Sequence, residues 1–368
     1  MQTQQQSFQA TAPLVAGDPT AVSFCPTLLD TSFSLHKAPE VTSHALLTGV
    51  TSANRAAVVV KLLELIERDN PKLVWVTDDG SLAGIAAASG MPYLNLDPAG
   101  AGFCLNPFWL PLDRREGVRY RPSPDETLSM AMVVALMLDE VGYQPEPEHV
   151  SALVPLLFKA VNRSYSVNHA GTPGKEVTFT DFVTNLNSIQ VSGLEGEAIG
   201  KLLAPFHGEG QYAGLFDGEF CLPGTDEVAI FGTQLLTGTP AFAPALSALQ
   251  LHSCKRIMYE LPRLETKAMV INHDWSAHRS RYFGQTLEAL YREYRRYNAS
   301  YILLTDHLNS LRSAIDNWDL KFTEDSIMEN LCHHLDVVAR NGQTVLSYSA
   351  MDDSPAAKEA GLVSAGSV

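Results

Sequence analysis

Hydrophobic and polar positions along the chain predict two stretches in which strands and helices alternate. Strands are expected at 44–50, 72–77, 91–96, 227–231, 267–272 and 299–305, and helices at 55–68, 81–89, 240–261 and 281–297, with a break in the third helix near Pro240 or Pro244. Continuous apolar strands that alternate with helices are typical of a parallel sheet covered on both faces. The pattern therefore predicts an α/β fold with a mostly parallel, doubly wound sheet.

The region between the two stretches has a different pattern. Ser123-Pro124-Asp125-Glu126 is a strong helix start, and apolar residues recur at helical spacing over 125–141, 148–165 and 194–206. We therefore expect residues 31–110 and 220–345 to form the sheet domain and 111–219 to be a mostly helical insertion. Residues 1–30 and 350–368 are polar and rich in small residues, which predicts a flexible N-terminal segment and a disordered tail.

Composition narrows the function classes. The formal net charge of −15 argues against a nucleic-acid-binding surface over most of the molecule. The five cysteines are widely spaced and include no C-x-x-C pair, which favours reduced thiols over a disulfide framework or a zinc site. Cys332, His333 and His334 lack a second nearby pair of ligands, so no metal site is predicted.

The N-terminal residues show no secretory signal, and no apolar run is long enough to span a bilayer. These features predict a cytoplasmic protein without a direct membrane span.

The segment after the first strand has the layout of a phosphate-binding loop without its reactive groups. Compared with G-x-x-x-x-G-K-[ST], the first glycine is present as Gly49 and Thr51 lies within the loop. Asn54 replaces the second glycine, Arg55 the lysine, and Ala56 the hydroxyl residue that holds Mg²⁺. Arg55 could still hold a phosphate or could be an ordinary surface arginine.

A second apolar strand should end in two carboxylates in an ATPase of this kind, one for Mg²⁺ and one for the attacking water. Strand 267–272 ends instead in Asn272-His273-Asp274-Trp275. Asn272 carries no charge, and His273 is more simply read as a structural residue. Asp274 is a possible substitute carboxylate, because alternate residues of a strand lie on the same side.

In order along the chain, these segments resemble the TraC/VirB-type conjugative transfer ATPases of type IV secretion systems. The resemblance covers about residues 22–340, and its elements are Gly102–Phe108 (the Leu-Asn-Pro-Phe element), Gly210–Gly218 (G-x-Y-G-x-L-F-D-G), Asn272–Trp275 (Asp-Glu-Ala-Trp), Tyr291–Asn298 (R-x-x-R-K-Y-G) and Ile302–Leu311 (I-x-x-T-Q-S-x-x-D-L). It implies a RecA-like P-loop fold. Asp306 then lies at the sensor position, and Arg295 or Arg296 at the position of an arginine offered to a neighbouring subunit's nucleotide.

The departures from the family pattern fall on the residues that would contact phosphate, metal and water. Positions that shape the fold are largely kept, which suggests a pseudo-ATPase with no cofactor, or with weak ATP or ADP binding and no efficient hydrolysis. The family's N-terminal domain is not expected, because the phosphate loop begins only about forty residues into the chain. A weak or absent homo-oligomer follows as an expectation.

Three hypotheses remain open. The chain is a non-hydrolysing structural or regulatory component that joins another secretion or conjugation ATPase, located in the cytoplasm or at the inner-membrane face of the complex. Alternatively, it is an active ATPase whose chemistry has moved to Arg55, His273 and Asp274. In the third hypothesis, it is a RecA-like binding module with no link to secretion.

Overall fold

A computed structural model describes most of the central part of the chain. It covers residues 22–24, 36–38, 41–42, 44–51, 54–66, 72–78, 80, 82–88, 90–99, 102–168, 176–222, 228–263, 265–272, 280–307, 309, 311, 313–314, 331–340 and 343–350.

One nine-stranded sheet organises these residues, with the spatial order β1-β13-β12-β4-β11-β10-β5-β9-β6. All neighbours from β12 to β6 are parallel, β12 and β13 are antiparallel, and β1 is parallel to β13. The strands of this sheet are β1 (Val22–Phe24), β4 (His44–Thr48), β5 (Lys72–Thr77), β6 (Tyr93–Asn95), β9 (Val228–Gly232), β10 (Lys267–Asn272), β11 (Ala299–Leu304), β12 (Leu331–Arg340) and β13 (Gln343–Ala350). Two small antiparallel pairs lie outside it: β2 (His36–Ala38) with β3 (Val41–Thr42), and β7 (Gln190–Val191) with β8 (Leu194–Glu195).

The predicted α/β fold is confirmed, and it follows from the strand sequences. Every residue of β4, β10 and β11 is buried, as expected for strands covered on both faces. Successive side chains point to opposite faces. Leu46, Ile271 and Leu303 therefore join one apolar core, whereas Leu47 and Val270 join the other.

Helices cover both faces of the sheet. The helices are α1 (Arg55–Ile66), α2 (Leu82–Ala88), α3 (Pro124–Glu140), α4 (Val150–Asn168), α5 (Phe179–Leu186), α6 (Gly196–Leu202), α7 (Ala213–Phe216), α8 (Phe242–Tyr259) and α9 (Arg281–Arg296). α1 and α2 pack on one face. α3, α8 and α9 contact one another on the other face, where α4 and α5 extend the core away from the sheet.

Local sequence signals explain where α3 begins and why α8 tolerates a proline. Ser123 caps α3, and Glu126 completes a capping box with it, as the sequence indicated. The predicted break near Pro240 or Pro244 is wrong for Pro244, because α8 runs without interruption from Phe242. Pro244 lies in the first turn, where no intrahelical N–H bond is lost.

The hairpin of β12 and β13 was not predicted. β12 lies beside β4, so the phosphate-loop strand has a parallel neighbour on each side. Val22–Phe24, inside the segment predicted to be flexible, pairs with Thr344–Leu346 of β13.

The described residues between β6 and β9 include α3 to α7 and one short antiparallel pair, while the strands before and after them share one sheet. The exact boundaries of the predicted sheet domain and insertion stay a prediction. Residues 1–21 and 351–368 lie outside the described residues. In the described part of the chain, every helix is too short or too polar to cross a membrane.

The segment 102–109 is fixed to the molecule by buried polar side chains. The amide nitrogen of Asn106 donates to the carbonyl oxygens of Val177 and Gly218, both at 2.9 Å, and its oxygen accepts from the N–H of Phe108 at 3.0 Å. The ammonium group of Lys255 on α8 donates to the carbonyl oxygen of Trp109 at 2.7 Å. Burial lowers the pKa of Lys255 to about 7.

We expect Asn106→Ala to lower the free energy of unfolding by about 2–4 kcal/mol, because two carbonyls and one N–H would lose their partner in a buried position. Asn162→Ala is the matched control, since the Asn162 side chain is exposed and bonds only to a carbonyl of its own helix. That change should cost well under 1 kcal/mol. Urea unfolding of both variants measures the difference, and equal losses would contradict the assigned role.

Candidate functional site

The carboxyl edge of the sheet brings together the segments that carried the predicted chemistry. β4 leads into the loop from Gly49 to Arg55, β5 ends beside Asp78, β10 ends at Asn272, and β11 leads to Asp306. β11 lies between β4 and β10, so the loop and Asn272 are two strand positions apart.

Gly49 makes a turn that a larger residue would strain. Its φ is +79°, and a Cβ built there would lie 2.6 Å from the carbonyl oxygen of Val337 on β12. Its N–H donates to the carbonyl oxygen of Asp306 at 2.9 Å, and the N–H of Val50 donates to that of Thr305 at 3.1 Å. The beginning of the loop is thus bound to the end of β11.

Asn54 closes the loop with its own side chain. The amide oxygen accepts from the N–H of Thr51 at 2.8 Å, and the amide nitrogen donates to the carbonyl oxygen of Gly49 at 2.9 Å. We call this pair of bonds the Asn54 clasp. Thr51 in turn accepts from the N–H groups of Asn54 and Arg55, at 3.2 and 2.9 Å.

The clasp changes what the loop offers to an anion. A phosphate-binding loop holds phosphate through backbone N–H groups that point into a shared concavity. Among the described loop residues, the N–H groups of Gly49, Val50, Thr51, Asn54 and Arg55 all donate to protein oxygens. For Thr51, the acceptor is the side-chain oxygen of the residue that replaces the second glycine.

Arg55 lies beside a carboxylate rather than in open solvent. Its guanidinium is 3.6 Å from the carboxylate of Asp78, and both side chains are mostly buried. Charge-assisted bonds are usually 2.7–2.9 Å long. The pair is therefore a loose one, and Asp78 neutralises the positive charge that could otherwise attract phosphate.

The positions that the resemblance assigns to Mg²⁺ binding carry an alanine and an asparagine. Ala56 is exposed and offers no side-chain oxygen. Asn272 is only 3% exposed, and its amide nitrogen lies 3.4 Å from the hydroxyl of Thr77. Its backbone oxygen accepts from the N–H of Asp78 at 3.3 Å. Asn272 therefore links β10 to β5, and it brings no charge to the edge.

Asp306, at the sensor position, is exposed and is engaged in its own turn. Its carboxylate accepts from the N–H of His307 at 2.7 Å and lies 3.3 Å from the hydroxyl of Thr305. Its side chain stabilises the bend directly after β11. Its backbone oxygen, as described above, holds Gly49.

Arg295 and Arg296 lie far from this loop within the same chain. α9 runs back from the carboxyl edge to the amino edge of the sheet, and its sixteen residues extend about 24 Å. Arg296 is exposed and is bonded to Glu293 at 2.9 Å. A role toward a neighbouring subunit stays a prediction, and the chain's own loop is out of reach.

His273, Asp274 and Trp275 lie outside the described residues, so the substitute carboxylate is not located. The structure adds one participant that sequence reasoning missed, Asp78, whose only signal was its place directly after a buried strand.

Two of the elements that resemble the conjugative transfer ATPases, Gly102–Phe108 and Gly210–Gly218, are in contact in the structure. The N–H of Leu105 donates to the carbonyl oxygen of Leu215 at 2.7 Å, and Asn106 holds Gly218.

Comparison with known proteins finds its matches at the level of structure. No family model matches the sequence, and no curated protein does. The structure of VirB4 of Thermoanaerobacter pseudethanolicus matches with a TM-score of 0.55 at 12% identity, covering 81% of this chain and 78% of that chain. The bacterial conjugative coupling protein TrwBdeltaN70, in its unbound monoclinic form, gives a TM-score of 0.47 at 14% identity, covering 84% of this chain and 74% of that chain. The chain has the RecA-like P-loop fold of conjugative ATPases, as the sequence resemblance implied.

We expect Gly49→Ala to lower the free energy of unfolding by about 1 kcal/mol for the positive φ and by a further 1–3 kcal/mol for the contact with Val337. Gly142→Ala is the matched control, because its φ is +83° and nothing lies within 4 Å of the added Cβ. Thermal or urea unfolding should show the larger loss at Gly49. Equal losses would mean that β12 does not press on the loop.

Proposed function

We propose that this chain is a pseudo-ATPase of the conjugative-transfer type, which serves as a structural or regulatory component of DNA-transfer or secretion machinery. The observation that carries the proposal is the Asn54 clasp. A loop whose described N–H groups are already bonded needs no phosphate to be stable. At the same edge, Ala56 lacks the hydroxyl that would hold Mg²⁺, and Asn272 replaces a charged carboxylate with a neutral amide.

Weak nucleotide binding remains compatible with this proposal. Arg55 is 3.6 Å from Asp78, and a phosphate could compete for a pair held at that distance. Efficient hydrolysis is not compatible with it, because Ala56 has no side-chain oxygen for Mg²⁺ and the uncharged Asn272 replaces a carboxylate. The described carboxylates at this edge are engaged elsewhere, since Asp78 lies beside Arg55 and Asp306 accepts from the N–H of His307.

The first alternative, an active ATPase with relocated chemistry, would need Asp274 or His273 to supply the missing groups.

The proposed setting follows from the fold together with the ordered motifs. The ordered motifs resemble those of type IV secretion ATPases, and VirB4 shares the fold, so we extend that setting to this chain as a proposal. The proposed partner is another ATPase or component of such a machine, and the proposed location is the cytoplasm or the inner-membrane face of the complex. The second alternative, a binding module without this setting, would show no association with secretion components.

We expect the purified full chain to release phosphate from Mg²⁺-ATP no faster than buffer does. Arg55→Ala should give the same background rate, because loss of the metal and water ligands costs several orders of magnitude in rate. A steady-state phosphate assay tests both proteins. Release by the native chain that Arg55→Ala abolishes would overturn the pseudo-ATPase proposal in favour of relocated chemistry.

A rebuilt loop tests the clasp itself. The triple variant Asn54→Gly, Arg55→Lys, Ala56→Thr restores the full G-x-x-x-x-G-K-T pattern from Gly49. We expect it to bind Mg²⁺-ATP at least tenfold more tightly than the native chain in calorimetry, which is about 1.4 kcal/mol. Arg55→Lys alone is the control and should change little, because the clasp remains. Equal affinity of the native chain and the triple variant would contradict the role of Asn54.

We expect the chain to be a monomer or a weak homo-oligomer. A net charge of −15 adds repulsion between identical copies, and a nucleotide that is not held cannot bridge subunits. Light scattering at micromolar concentration and physiological salt measures the mass. A stable hexamer without any partner would contradict this expectation.

A further inference from the structure

Two cysteines lie directly opposite each other at the place where the chain enters and leaves its helical region. Cys104 follows Gly102 in the segment after β6, and Cys221 follows α7 shortly before β9. The N–H of Cys104 donates to the carbonyl oxygen of Cys221 at 2.8 Å, and the N–H of Cys221 donates to that of Cys104 at 3.2 Å. They form an isolated antiparallel bridge, and neither is in a disulfide. The Cys221 thiol donates to the carbonyl oxygen of Gly102 at 3.6 Å.

This pairing places the two Cα atoms within the range that a disulfide spans. Residues that exchange both backbone bonds in an antiparallel pair have Cα atoms about 5.5 Å apart and side chains on the same face. Disulfides join cysteines whose Cα atoms are about 4.4–6.8 Å apart. Bonds that do not involve the cysteines also hold these two segments together, because the N–H of Leu105 donates to Leu215 and Asn106 donates to Gly218.

We propose that Cys104 and Cys221 form a reversible dithiol–disulfide site that reacts with small disulfides such as oxidised glutathione. The bond would covalently close the base of the helical region, between the two resembling elements Gly102–Phe108 and Gly210–Gly218. The proposal does not depend on nucleotide chemistry, because neither cysteine belongs to the phosphate loop.

The two thiols have different roles in the reaction. Cys221 is exposed, whereas Cys104 is buried. Burial, together with the nearby carboxylates of Asp217 and Glu176, raises the pKa of Cys104 to about 12. Cys221 is therefore the thiol that meets the reagent first.

The reaction balances in two exchange steps. The Cys221 thiolate attacks one sulfur of the small disulfide, forms a mixed disulfide and releases one thiolate. The Cys104 thiol then gives up its proton, and the resulting thiolate attacks the Cys221 sulfur. The intramolecular S–S bond forms as the second small thiolate leaves and takes up that proton. The protein loses two electrons and two protons, and one small disulfide becomes two small thiols.

Reversibility follows from the type of strand pair. The Cβ atoms of a directly opposite pair with both backbone bonds are toward the long end of the 4.5–5.5 Å range, and a disulfide prefers about 3.8 Å. Closing the bond pulls the two segments together, and a strained or exposed disulfide is more easily reduced.

The test treats the folded full chain with oxidised glutathione, blocks the remaining thiols and maps the cross-links by mass spectrometry. Cleavage after Glu219 and Glu227 releases Cys221 on a peptide separate from Cys254, and Cys104 lies on the peptide that ends at Glu116. We expect these two peptides to be joined in the native chain and in the control Cys254→Ser, and to separate again in excess reduced glutathione.

Single cysteine variants distinguish the first exchange step, at Cys221, from the second, at Cys104. Cys104→Ser should stop at a glutathione adduct on Cys221, and Cys221→Ser should show at least a tenfold lower yield of any Cys104 product. A native chain that stops at the Cys221 adduct, a cross-link through Cys25, Cys254 or Cys332, or a bond that reduced glutathione cannot reopen would each overturn the proposal. None of these outcomes bears on ATP hydrolysis, so the two proposals fail separately.

Discussion

The parallel pairing of β4, β11, β10 and β5 is the constraint on which the rest of this molecule depends. Each of these strands has a parallel neighbour on both sides, and β4, β10 and β11 are buried along their whole length. Parallel strands end at the same edge of a sheet, so the chain has no freedom to separate the loop after β4 from Asn272 or Asp306. The helices then follow, because a strand that is apolar on both faces needs a cover on both.

Backbone chemistry at that edge explains why the departures from the phosphate-loop pattern go together. A loop that curls around phosphate points N–H groups inward, and each group needs an acceptor when no phosphate is bound. The side-chain oxygen of Asn54 accepts from Thr51, and the nitrogen returns to Gly49. Glycine at position 54 could not make either bond. Once the loop is stable by itself, a lysine and a hydroxyl at the next two positions have no phosphate or metal to serve, which agrees with Arg55 beside Asp78 and with Ala56 in solvent.

The sequence predicted elements well where an apolar segment was long and regular. It predicted less where side chains hydrogen-bond to backbone groups of other residues. Strand 267–272 was placed correctly because six consecutive residues are buried in the sheet. The hairpin of β12 and β13 was missed, because polar residues such as His333, His334 and Asp336 interrupt its apolar pattern. Motif order predicted the residues of the candidate site, and the structure brings Gly49, Asn272 and Asp306 to one edge of the sheet. The Asn54 clasp and the Arg55–Asp78 pair were not predicted, because both depend on the positive φ of Gly49 and on which strand lies beside which.

Outside the loop, the elements that resemble the family stabilise the fold. Their contacts are distinct from those of the candidate site. Asn106 of the Leu-Asn-Pro-Phe element satisfies two buried carbonyls, and Lys255 on α8 satisfies that of Trp109. These contacts hold the entrance of the helical region against its exit and against the sheet's covering helix, and none of them touches the loop. A chain that is used for its surface must keep them, since each lost partner would leave a buried polar group unpaired. The hydroxyl and carboxylates of an ATPase site are not needed for these contacts. Their absence therefore leaves the fold intact. On this argument, the presence of Asn106 and the absence of a hydroxyl at position 56 are both compatible with the structural role that we propose for the RecA-like fold.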